Sequence, residues 1–96
     1  MCEFGQVTKV SLVGSGKSQV GWFRLEDAQV YHVHFYKASV NEGVVVDVLN
    51  VRGGGGVHVS LELDNDSARK LAQAILSTVD ALEAKQAETA QRLAAR

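Results

Sequence analysis

The apolar residues change rhythm between residues 61 and 68, and that change limits what the chain can fold into. Up to Leu63 they alternate, with Val57, Val59, Leu61 and Leu63 separated by His58, Ser60 and Glu62. Beyond Asp64-Asn65-Asp66-Ser67 they recur at intervals of three and four, as Ala68, Leu71, Ala72, Ile75, Leu76, Val79 and Leu82. A period of two is a half-buried strand, and a period near 3.6 is one face of a helix. The joint carries N-cap chemistry, because a carboxylate or amide there accepts from the orphan amides of the first helical turn. A strand-rich segment closed by one long helix follows.

Four further segments read as short strands: Gln6 to Val13, Val20 to Leu25, Val30 to Lys37 and Val44 to Val51. Gly14-Ser15-Gly16, Glu26-Asp27, Asn41-Glu42-Gly43 and Gly53 to Gly56 supply the turn signals between them. Tight connections imply an antiparallel meander, since parallel pairing needs crossovers that 96 residues do not accommodate. The expected fold is α+β: about five antiparallel strands over residues 6–63, with a C-terminal helix over about 66–95 packed on one face. The chain contains no proline, so nothing interrupts ladders or helix. A helix of that length is about 43 Å long, against about 17–20 Å for a typical strand. Large apolar residues stop at Leu82 and return only at Leu93, so the end after residue 82 projects beyond the sheet, to fray or to meet a second chain. Glu88 and Arg92 in this stretch have a favourable i,i+4 spacing.

Length sets a single domain with a modest core. The net charge of −1 removes the basic excess expected of a phosphate-neutralising protein and leaves self-association unopposed. Cys2 is the only cysteine, which excludes an internal disulfide and a cysteine-based zinc site. With no signal-peptide pattern and no apolar run of membrane-spanning length, the expected location is the cytoplasm.

The candidate motifs carry little catalytic chemistry. Gly14-Ser15-Gly16-Lys17-Ser18 resembles the end of a phosphate-binding loop, but position 11 is serine where that loop needs glycine, and Gln19 to Phe23 reads as a strand where it needs a helix. It is read as a hairpin turn. His32 and His34 share a strand face; with His58 and Glu62 they would form a metal site if the strand order brought them together. A solvated sheet face is the plainer reading, so neither metal nor cofactor is expected. Asp64 and Asp66 are read as helix caps, and no nucleophile sits in a recognisable elbow. No catalytic residue is assigned.

The strand at 44–51 is apolar on both faces, whereas a helix covers only one face of a two-layer sheet. The uncovered face would expose Val45 and Leu49 beside Trp22 and Tyr36. Exposed apolar area with aromatics marks an interface. Together with Leu93 on the projecting helix, these residues are the expected partner-binding set. The resulting expectation is a small non-catalytic protein-binding module, homodimeric, of a size that fits an inhibitor or accessory factor carried by a phage or mobile element, of the anti-CRISPR or anti-defence kind.

A second reading starts from Lys9, Lys17, Arg24, Lys37 and Arg52 with Trp22, Tyr31 and Tyr36, the cations and stacking aromatics that single strands require. The order of strands followed by a C-terminal helix, with its joint at Gly56 to Leu82, is similar to that of the transcriptional-coactivator family, which grips single strands on a curved sheet. That resemblance implies single-stranded nucleic-acid binding on the open sheet face, by Lys17, Arg24, Lys37 and Arg52. A histidine-based metal-binding protein is the third reading.

Overall fold

A computed structural model describes residues 6–19, 21–34, 42–50 and 57–95. The fold is α+β. Four strands, β1 (Thr8–Ser18), β2 (Gly21–His34), β3 (Glu42–Leu49) and β4 (Val57–Leu63), form an antiparallel meander in the order β1-β2-β3-β4. One helix, α1 (Asn65–Ala94), follows. The chain divides into two compact units, Met1–Asn65 and Asp66–Arg96.

The sheet has four strands rather than five because the segments 20–25 and 30–37 belong largely to one strand. Glu26-Asp27 does not turn; both lie inside β2, where Asp27 pairs with Ser11 on one side and Leu49 on the other. Nor do Gly14 and Gly16 form a turn. They lie within β1, opposite Leu25 and Phe23. The reversal comes later, where Ser18 pairs with Gly21 across a two-residue connection. Gly21 has φ of +119°, a conformation that side chains disfavour. Gly16 is there for closeness: a Cβ on it would come within 2.6 Å of Phe23 Cζ, so the ring lies over the glycine across the strand pair. The expected loop Asn41-Glu42-Gly43 is corrected in part: Glu42 and Gly43 open β3, opposite His34 and Val33, without a positive φ at the glycine, because the ladder with β2 extends through them. Residues 41 and 53–56 lie outside the described residues.

Pairing fixes the two faces, because directly opposed residues point to the same side. Ala28, Val30 and His32 oppose Val48, Val46 and Val44, which in turn oppose Val59, Leu61 and Leu63. This first face is apolar and partly open, with Val59 and Leu61 exposed. The second face carries Gln29, Tyr31, Val45, Asp47, Leu49, Ser60 and Glu62. Val45, Asp47 and Leu49 are all buried there. Asp47 accepts from the Tyr31 hydroxyl at 2.6 Å and from Ser60 Oγ at 2.5 Å. One carboxylate thereby joins β2, β3 and β4, and no buried side-chain polar atom among the described residues lacks a partner. The bond to Asp47, partial burial and the charge of Asp47 together push the Tyr31 phenol up from 10.0 to about 12.

The sheet is uneven in width. Among the described residues β2 pairs with β3 only from Asp27 onward, and its first part, Gly21 to Glu26, pairs with β1 alone. Where this ribbon joins the sheet, two residues of β1 (Leu12 and Val13) face one of β2, and Val13 is fully exposed at the bulge.

The helix starts at Asn65, which puts Asp64 at the N-cap position. Asp66 in the first turn complements the helix dipole and pairs with Lys70 at 3.0 Å. Glu88 and Arg92 form the expected i,i+4 pair at 3.5 Å. α1 is continuous through Ala94, 30 residues or about 45 Å. No helix among the described residues is long and apolar enough to cross a membrane.

Two measurements check this packing. Tyr31→Phe removes one of the two hydroxyl donors to a buried carboxylate, and denaturant unfolding should show a loss of about 1–2 kcal/mol. Because the phenol is raised on folding, its contribution is complete below about pH 10 and is lost as pH climbs through about 12. The melting temperature of the native protein should fall across that window, and Tyr31→Phe should flatten the fall. Leu49→Ala should cost about 2–5 kcal/mol as a buried position, whereas Trp22→Ala, at an exposed one, should stay within about 0.5 kcal/mol.

Candidate functional site

The residues singled out in the sequence divide between core, surface and segments outside the described residues. Val45 and Leu49, expected on an open face, are only 4% and 9% exposed. They flank Asp47 on the second face and serve the core, which corrects their assignment to a partner-binding surface. Trp22 and Leu93 are well exposed, at 69% and 62%. Tyr36, Lys37 and Arg52 lie outside the described residues.

His32 is not gathered with Glu62. His32 opposes Val44 on the first face, and Glu62 opposes Val45 on the second. His34 opposes Glu42 at the far end of the β2–β3 pair. His58 lies where β4 slips register, between the Val48–Val59 and Leu49–Val57 pairs. That is four to five residues along β3 from Val44, or about 14–17 Å. His32 Nε2 instead meets Glu42 Oε2 at 3.2 Å, both side chains being about half exposed. Among the described residues no group of three or more metal-ligating side chains forms a cation site.

Among the described residues, shallow depressions mark the sheet. One is lined by Ser11, Arg24, Leu25 and Asp27, with Ser11 Oγ donating to Asp27 at 3.4 Å. Another is lined by His32, Glu42, Gly43 and Asn65. Neither brings a serine or cysteine to a histidine.

Two surface features stand out. At the ribbon end, Lys17 opposes Trp22 and Ser15 opposes Arg24, so Lys17, Trp22 and Arg24 share one face. Lys17 Nζ lies 5.8 Å from the centre of the Trp22 ring, within cation–π range. Neither the sign of the whole chain nor its composition points to this cluster; the alternation within β2 and the position of the hairpin turn locate it.

The second is the helix. Taken by itself, α1 buries none of its residues, and Leu71, Ile75, Leu76, Val79, Leu82 and Leu93 are all exposed. Ile75 and Leu93 are 18 residues apart, five full turns, so Leu93 stands in line with the stripe rather than apart from it. The sequence spacing showed the gap after Leu82 but not this alignment, which requires the helix to run unbroken.

No curated protein and no solved structure matches the chain. The sequence model of one family matches residues 1–90, and the chain therefore belongs to that family, described as a family of unknown function (DUF6295).

Proposed function

We propose that the protein is a small non-catalytic protein-binding module that works as a homodimer, with the apolar stripe of α1 as its contact surface. The observation that carries this reading is the stripe itself. Six large apolar side chains lie exposed along one helix, and such a stripe is stable in water only when something covers it. A second copy suits it on charge. The overall charge of −1 gives almost no self-repulsion. Residues 66–70 hold Arg69 and Lys70 against Asp66, a net of +1, whereas residues 80–92 hold Lys85 and Arg92 against Asp80, Glu83 and Glu88, a net of −1. Two antiparallel helices would set each half against its opposite. An inhibitory or accessory role toward another protein, in a phage-like or mobile-element setting, is compatible with this small size and remains part of the proposal.

Light-scattering mass at micromolar concentration tests it. A dimer is expected, and Ile75→Asp or Leu82→Asp should raise its dissociation constant at least about tenfold, about 1.4 kcal/mol. A native protein that stays monomeric up to high concentration would exclude the second copy.

The Lys17–Trp22–Arg24 cluster favours a second reading, single-stranded nucleic-acid binding, since a base can stack on an exposed indole beside phosphate-binding cations. Fluorescence polarisation with labelled single strands at low salt should then show binding that Trp22→Ala and Lys17→Ala weaken. No binding under that condition, where electrostatic contacts are strongest, ends this reading.

A further inference from the structure

The two edges of the sheet are built differently. β1 has devices that discourage further pairing: Lys9 and Lys17 within the strand and the bulge at Leu12-Val13. β4 has neither lysine nor proline. Its one irregularity is at its first residues, and from Val59 to Leu63 its pairing with β3 is regular. Among the described residues nothing pairs with its outer side. An unblunted edge strand presents a row of free donors and acceptors and is a template for another strand.

The sequence of β4, Val57-His58-Val59-Ser60-Leu61-Glu62-Leu63, is complementary to its own reverse. Laid antiparallel on a second copy about Ser60, its regular part, Val59 to Leu63, opposes valine to leucine at 59/61 and serine to itself, and the sequence sets His58 against Glu62 at the margin. Among antiparallel registers this one places the two-fold axis within the regular part of β4 and keeps its apolar residues on one face. Slips by one residue put apolar positions on the polar side. In this register the exposed Val59 and Leu61 each gain an apolar cross-strand neighbour on the first face.

We infer that β4 pairs antiparallel with β4 of a second copy, centred on Ser60, joining two four-stranded sheets into one of eight strands. The pairing is isologous, as a two-fold dimer requires. It rests on the homodimer reading above and names where the sheets of that dimer meet.

The full-length protein tests this by register-specific cross-linking. In a Cys2→Ser background, Ser60→Cys should oxidise to a covalent dimer, because directly opposed residues have Cα atoms about 4.5–5.5 Å apart, within disulfide reach. Glu62→Cys should not, since it would be about 14 Å from its copy. Ser60 also donates to Asp47, so a second measurement leaves the sequence intact: in the native dimer, alternate amides of β4 should exchange slowly, and lose that protection on dilution to monomer. A dimer that shows neither the Ser60 cross-link nor protected β4 amides overturns the β4 pairing while the homodimer stands. A native protein that is monomeric throughout overturns both.

Discussion

The carboxylate of Asp47 is the constraint on which the sheet depends. Burying it is costly unless its oxygens are satisfied, and Tyr31 and Ser60 satisfy one each from the neighbouring strands. A one-residue slip of β3 against either neighbour would move Asp47 to the opposite face, away from both donors. The apolar residues around it could tolerate such a slip far better, because β3 is valine-rich on both sides. A single polar group therefore fixes what the hydrophobic pattern leaves open: which side of β3 faces which side of β2 and β4.

This also explains what was and was not legible in the sequence. The helix and β4 were readable within a residue or so, because each has one clean period and the caps at Asp64 to Asp66 lie between them. β3 was readable as a strand but not as to its faces. Asp47 between Val45 and Leu49 suggested the solvated side, and its partners are distant in sequence and reach it only once the strands pair. The merging of two expected strands into β2 has a similar cause. Glu26-Asp27 has turn composition, but a long strand that passes the edge of a narrower sheet can place charged residues there without bending.

The candidate surfaces follow the same division. Residues chosen for being apolar on a second face, Val45 and Leu49, proved to be core, because apolarity alone does not distinguish a face that is covered from one that is not. Trp22 and Leu93 proved exposed, and each acquired neighbours only through structure: Trp22 by pairing with Lys17 across the hairpin, Leu93 by an unbroken helix that aligns it with Ile75. The separation of His32 from Glu62 was decided by parity, since adjacent residues of β3 oppose them.

The mismatch in strand length has a consequence for how the molecule comes apart. Among the described residues, Gly21 to Glu26 of β2 have a partner on one side only, and a two-stranded ribbon is marginal in water. It can unzip from its tip inward while the wider sheet stays intact, so cooperative melting stops near Asp27, where the third strand begins. A protease cutting near the hairpin tip would then report the free energy of local opening, and a probe on Asp47 the free energy of the whole sheet.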